Sequence, residues 1–230
     1  MSMPFYVSPE QVMKDRAEYA RKNIARGRDL VALCCAPGVL LVADNPSRTL
    51  SKISEIYDRI AFAAVGKYNE FQMLKVAGIR SADLKGFSYS REDVSARELA
   101  NAYAQTLGQV FTHEMKPYEV ELLVCEVGPI TDADELYHIF YDGVVIDEHG
   151  FSAIGGNNEQ ILTELREQYD AGASLQDAVQ LGAKVLGGDD GPLAAEQLEV
   201  ALLDRGRTRR TFRRIKNSEL DDLLGAIAGA

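Results

Sequence analysis

The sequence predicts an α+β fold: a four-layer α-β-β-α sandwich in which two antiparallel sheets are flanked by helices. Three observations lead there. Strand-like runs come in clusters, each followed by a pair of helical patterns, and the second half of the chain repeats the plan. The strands are joined by short turns, Ala36-Pro37-Gly38 and Asp142-Gly143, not by the long crossovers that parallel strands need. Strands in runs and helices in pairs segregate into separate layers. With 230 residues, 46% of them hydrophobic, the chain can bury a sizeable core; it is expected to form one unit over residues 8–230 behind a short apolar arm, 1–7.

Each element follows from local chemistry. Ser8-Pro9-Glu10-Gln11 starts a helix, with Ser8 as cap, Pro9 at the first helical position and Gln11 where a capping box wants it. Val12, Met13, Tyr19, Ala20 and Ile24 recur at helical spacing, and Gly27 ends the run. Leu30–Cys34 and Val39–Ala43 are strands around the Ala36-Pro37-Gly38 turn, and Ile60–Val65, closed by Gly66, is a third. A helix over about Asn69–Lys85 has Phe71, Leu74, Val76 and Ile79 apolar. The next opens with the capping box Ser95-Ala96-Arg97-Glu98 and continues through Leu99, Tyr103, Leu107, Val110 and Phe111. Strands follow at Val120–Val127, Leu136–Tyr141, Val144–Ile146 and Phe151–Ile154, then helices at Glu159–Tyr169 and Leu175–Leu186, the latter capped by Ser174. Leu198–Asp204 and about Arg209–Ile215 form a last hairpin, and Ser218 caps a terminal helix.

Charge and cysteine usage narrow the function. Twenty-five Lys and Arg against 35 Asp and Glu leave a net charge of −10, which repels a phosphate backbone on average. Residues 204–216 carry +6, seven basic side chains against Asp204, leaving −16 for the remainder. Arginines on alternate faces of a hairpin are expected to pair with acidic residues of a neighbour, so no nucleic-acid partner is expected. Three cysteines, two of them adjacent at Cys34-Cys35, suit a reducing compartment, and alternate strand residues face opposite sides. There is no apolar run of the roughly 20 residues that crosses a membrane, and no signal-peptide pattern; a cytoplasmic chain with no membrane role is expected. His113, His138 and His149 lack ligand spacing and are expected at the surface or in loops, so no metal is assigned. Gly155-Gly156-Asn157-Asn158 lacks the Lys-Ser/Thr of a phosphate loop and is a strand-to-helix turn; no cofactor is assigned.

A specific resemblance covers nearly the whole chain. The helix Ser8-Pro-Glu-Gln-Val-Met-Lys-Asp-Arg-Ala-Glu-Tyr-Ala20, with Ala43-Asp44-Asn-Pro-Ser-Arg48, Lys52-Ile53, Ile60-Ala-Phe-Ala-Ala-Val-Gly66 and Lys116-Pro117-Tyr118, resembles proteasome core-particle α subunits. The opening Met-Ser-Met-Pro-Phe-Tyr-Val-Ser-Pro-Glu-Gln is similar to the actinobacterial branch. The resemblance implies the N-terminal-nucleophile hydrolase fold and a homo-heptameric α ring stacked on proteolytic β subunits, admitting unfolded protein substrates in intracellular degradation.

The resemblance also assigns residues. Relatives of this fold that cleave amides use an N-terminal Thr, Ser or Cys whose own amine helps activate it. Aligning Asp44 with the strand-end aspartate of β subunits puts Arg28 where their nucleophile stands, and no Gly-Thr processing site lies upstream. No catalytic residue is therefore assigned, and the chain is expected to be a non-catalytic subunit of a threonine-type endopeptidase complex. Lys52 falls near the catalytic lysine of β subunits; in α subunits that position lines a pocket for the C-terminal carboxylate of a ring-shaped ATPase activator. Gly66, Pro9 and Glu18 match other positions around it, and Glu18 is expected to pair with Lys52 of a neighbour when the pocket is empty. Met1, Ser2, Met3, Pro4, Phe5, Tyr6 and Val7 correspond to the gate over an axial pore, although the Tyr-Asp-Arg stretch of archaeal and eukaryotic α subunits is absent. Pro9 and Tyr19 match parts of the open-gate cluster. Thr112–Lys116 matches the pore constriction loop, with His113 and Met115 toward the channel. The alternatives are an autonomous N-terminal-nucleophile amidohydrolase using Ser2 or a buried cysteine such as Cys34, and a polyanion-binding module centred on Arg205–Arg214.

Overall fold

The computed structural model describes residues 8–216 and 218–225; the arm, Met1–Val7, lies outside them. The chain opens with helix α1 (Pro9–Ile24), as the capping signal predicts. Ser8 Oγ accepts from the Gln11 backbone N–H at 3.2 Å, but the box is half formed because the Gln11 amide donates to Asp15 at 2.6 Å. Strands β1 (Leu30–Cys35) and β2 (Gly38–Asp44) form the first hairpin. Strands β3 (Ile53–Tyr57) and β4 (Ile60–Gly66) form the second. β3 has no counterpart among the expected strands, because Ile-Ser-Glu-Ile-Tyr is short and mixed in polarity, as suits an edge strand.

Helices α2 (Tyr68–Ser88) and α3 (Ala96–His113) follow. Ser95 Oγ caps α3 by accepting from the Glu98 N–H, while the Glu98 carboxylate pairs with Lys85 of α2 in place of closing a box. The second half contributes β5 (Val120–Glu126), β6 (Glu135–Ile139), β7 (Val145–Glu148) and β8 (Phe151–Ile154), then α4 (Asn158–Gln168) and α5 (Leu175–Gly187). Strands β9 (Leu198–Asp204) and β10 (Phe212–Ile215) and helix α6 (Ser218–Leu224) close the described chain. The last hairpin is shorter than the pattern suggests. Arg209 has φ +69°, and Thr211, whose carbonyl still accepts from the Asp204 N–H of β9 at 3.0 Å, turns its own N–H to the Asp58 carbonyl in the β3–β4 turn at 2.8 Å.

Two five-stranded sheets result, ordered β10-β9-β2-β1-β8 and β3-β4-β5-β6-β7, and every pairing is antiparallel. Strand alternation sorts the apolar side chains into three layers. Leu30, Ala32, Cys34, Leu41, Leu123 and Cys125 meet between the sheets. Val31, Leu33, Leu40 and Val42 face α4 and α5, and Phe62, Ala64, Leu122 and Val124 face α2 and α3. This is the predicted sandwich. Cys34 lies in the inter-sheet layer and Cys35 under the helices, and both are free thiols.

Two expectations need correction. His138 is not at the surface: it is 4% exposed between the sheets, stacked on Phe140 at 4.0 Å between ring centroids and 3.6 Å from Glu121. Period-2 alternation in β6 sends it inward beside Leu136. His113 and His149 are exposed, as expected. The basic run does not await a neighbour's acids. Arg205 pairs with Asp134 at 2.8 Å, Arg210 with Glu55 at 2.6 Å, Arg213 with Glu219 at 2.6 Å and Arg214 with Glu199 at 2.6 Å, all within the chain. The Gly155-Gly156 turn is structural. Gly155 has φ +125°, a Cβ there would lie 2.2 Å from Asp29 Oδ1, and Asn157 donates to both Asp29 oxygens.

Candidate functional site

Four elements bring their ends together where β1 begins: the Gly27–Asp29 entry, Asp44 at the end of β2, Lys52 just before β3 and Gly66 at the end of β4. The strands enforce the convergence. The Ala64 N–H donates to the Lys52 carbonyl at 3.1 Å, and the Asp44 N–H donates to the Asp29 carbonyl at 3.0 Å. Lys52 Nζ donates to the Arg28 carbonyl at 2.6 Å, and Arg28 Nη1 lies 2.9 Å from both Asp44 oxygens. Burial pushes the Lys52 ammonium down to about 8; Asp44, Asp29 and Glu199 oppose the shift and Arg28 adds to it. The amine is therefore charged below that pH and neutral above it, a poised cation at a half-buried position.

Lys52 and Asp44 thus both bond to Arg28, the residue that the resemblance aligns with the nucleophile of β subunits. Arg28 has no hydroxyl or thiol, and its nitrogen is a peptide nitrogen continuous with the α1 connection, so there is no free amine to act as base. Cys34 does not substitute: it is buried in the inter-sheet layer, and burial drives its thiol well above the ordinary cysteine range. Ser2, the other candidate nucleophile, falls outside the described residues.

Gly66 has a backbone that only glycine suits. Its φ is +111°, and a Cβ would lie 2.0 Å from the Glu119 carbonyl oxygen across the β4–β5 pair. Around it Lys116 bridges the buried carboxylate of Glu70, at 2.7 Å, and that of Glu119; the Glu119 N–H donates to Glu70 at 2.7 Å, and the Tyr19 hydroxyl reaches Glu119 at 3.5 Å. Tyr19 of α1 is thereby joined to α2 and to the loop before β5. Pro9 and Glu18 are exposed on α1, and among the described residues neither bonds to Lys52. The fold brings Lys52 and Gly66 to the paired strands β3 and β4 and leaves Pro9 and Glu18 exposed on α1.

His113 ends α3, and Met115, 99% exposed, stands in the loop after it. Arg16 of α1 donates to the carbonyls of Phe111 and Thr112, so the helix that the arm precedes abuts the loop carrying His113 and Met115. The sequence reasoning missed Glu199 and Arg214. Glu199 accepts from the Lys52 N–H at 2.8 Å, from the Ile53 N–H at 3.3 Å, from Asn45 Nδ2 at 2.7 Å and from Arg214 Nη1 at 2.6 Å. A glutamate set among the apolar residues Leu198 and Val200–Leu203 of β9 was the available signal. No group of three or more His, Cys, Asp or Glu among the described residues could hold a metal ion, and no described helix is long and apolar enough to cross a membrane.

Residues 24–200 match the family described as "Proteasome subunit". Over nearly full length the chain is similar to proteins named proteasome subunit alpha. The identity is 59% to that of Kineococcus radiotolerans, covering 97% of this chain and 98% of that protein. It is 58% to that of Sanguibacter keddieii, covering 100% and 92%, and 58% to that of Xylanimonas cellulosilytica, covering 100% and 98%.

Proposed function

Because the chain belongs to the family of proteasome α subunits, we propose that it is the non-catalytic ring subunit that gates a proteolytic chamber and docks an activating ATPase. The observation that carries the reading is the junction of Arg28, Asp44 and Lys52. The supporting lysine and aspartate persist, while the nucleophile's place is filled by an internal arginine whose carbonyl accepts from Lys52. A site of this kind binds; it does not cleave. A poised ammonium at the head of β1 suits a carboxylate arriving from outside, which takes charge from Lys52 and an N–H from the chain.

Seven copies form the ring, which templates and caps β rings and passes unfolded chains through its axis in the cytoplasm. Residues 8–230 act as one unit, with Met1–Val7 as the gate and His113 and Met115 at the constriction; the contact of Arg16 with the Phe111 and Thr112 carbonyls supports that neighbourhood. An apolar stripe along α2, Met73, Val76, Leu84 and Phe87, faces solvent in the single chain and supports burial against another subunit. Glu18, exposed on α1, is free to reach Lys52 of an adjacent copy.

The test uses the particle assembled with β subunits. Lys52→Ala is expected to abolish ATPase stimulation, expressed relative to each particle's own unstimulated rate, because losing a charged partner costs roughly 2 kcal/mol or more, about 30-fold in affinity. Deleting residues 1–7 is expected to speed peptide hydrolysis. Unchanged stimulation would remove the docking role, and unchanged hydrolysis the gate.

A further inference from the structure

Glu199 stands apart from the molecule's other carboxylates in what it holds. Its side chain is only 11% exposed, and both oxygens are full. Oε2 takes the Lys52 N–H and Asn45 Nδ2, and Oε1 takes the Ile53 N–H and Arg214 Nη1. A carboxylate has about four acceptor sites, and here all four are used. None of these bonds goes to the Lys52 amine; Glu199 grips the main chain on which that amine hangs.

The grip spans two sheets. Glu199 sits on β9, paired with Ala43 of β2, and reaches across to the start of β3 in the opposite sheet. Asn45, at the beginning of the connection, donates through Nδ2 both to Glu199 and to the Leu50 carbonyl, each at 2.7 Å, and accepts from the Ser47 N–H at 3.1 Å. The first and last residues of the 45–52 connection are thus pinned to one side chain. Arg214 completes the clamp by donating to the Ile53 carbonyl at 2.6 Å. With its backbone so held, Lys52 places its amine on the Arg28 carbonyl at 2.6 Å.

We propose that Glu199 is the positioning residue for Lys52: it holds the Asn45–Ile53 connection so that the Lys52 ammonium faces an incoming C-terminal carboxylate. The proposal rests on the docking reading above and names what makes that site rigid. It acts through geometry first and charge second. The charged groups around the amine are Asp44 from β2, Asp29 and Arg28 from the entry to β1 and Glu199 from β9, the last itself paired with Arg214 of β10. Removing the Glu199 charge takes away one of the three carboxylates that hold the Lys52 proton and leaves Arg28 less opposed, so Lys52 gives up its proton at lower pH.

The experiment uses the assembled α–β particle and, as probe, a synthetic peptide of an ATPase C-terminus with a free carboxylate, its C-terminal amide serving as control. Stimulation of peptide hydrolysis, relative to each particle's own unstimulated rate, is titrated from about pH 6.5 to about pH 9, the range in which a lowered lysine pKa is visible. Glu199→Gln keeps the shape but offers one acceptor oxygen and sets an NH2 against the clamp's donors. It is expected to raise the half-stimulating peptide concentration by about tenfold, as the loss of a charged hydrogen-bond acceptor predicts, and to move the upper pH limb downward. Asn45→Ala loosens the same connection without changing charge, so it is expected to raise the half-stimulating concentration and leave the pH limb in place. A pH limb that stays put in Glu199→Gln would mean a structural role without electrostatic reach and overturns the charge part. Docking as in the parent particle by Glu199→Gln, or by Asn45→Ala where Glu199→Gln fails to assemble, overturns the proposal, provided Lys52→Ala has lost stimulation. If Lys52→Ala is itself stimulated normally, the docking reading fails, and this inference with it.

Discussion

At Gly66 one missing carbon decides whether two strands can meet. The residue ends β4 opposite Val120, with its φ at +111°, and the Glu119 carbonyl fills the space a Cβ would need. Gly66→Ala combines backbone strain with a backbone clash, and is expected to cost about 3 kcal/mol, measured as a lowered urea midpoint with an unchanged slope. A midpoint equal to the parent's would mean that β4 and the Glu119 strand can separate locally at little cost. The glycine closing an apolar run was visible in the sequence; the carbonyl that makes it obligatory was not, because Glu119 is far along the chain. Lys52 is similar. Its place before Ile53 was legible by resemblance, but its lowered pKa comes from burial and Arg28 working against Asp44, Asp29 and Glu199, surroundings that only folding assembles.

Helix α2 shows the same division at the scale of an element. Phe71, Leu74, Gly78 and Ala82 make its buried face, and the helical spacing of apolar residues predicted the helix. Periodicity also placed Val76 among the apolar positions, yet Val76 faces solvent with Met73 and Leu84, and Phe87 is 90% exposed. The helix has two apolar faces, so its buried side could not be chosen from pattern alone. Phe87→Ser removes almost nothing that the single chain buries, and its stability is expected to stay within about 0.5 kcal/mol of the parent. The yield of assembled particle after co-expression with β subunits is expected to fall, read as native mass. Full assembly would show that this end of α2 lies outside every subunit contact. The strand β3 and the late start of β10 were missed for a related reason: both are fixed by partners in the opposite sheet or in a distant turn, not by their own residues.

For the whole molecule, the local clustering of like charge was a poor guide. The arginines of the last hairpin find Asp134, Glu55, Glu219 and Glu199 within the chain, so the basic run is an internal clamp and the polyanion reading loses its support. Function at this scale is collective. Purified alone, the chain is expected to hydrolyse no peptide; co-expressed with a β subunit it is expected to yield an active complex in multiples of seven, silenced by mutating the β threonine. A small particle that cleaves unaided would overturn the non-catalytic reading. The sequence by itself determined the layer plan, the first hairpin and the cap of α1, because strand alternation, turn chemistry and capping act over a few neighbouring residues. Only the tertiary structure decided that His138 is buried, that the arginines are spent internally and that Glu199 holds Lys52. Those pairs lie up to 155 residues apart, as Glu55 and Arg210 do, and a side chain's partner across such a separation is set by sheet order and register, which no local pattern encodes.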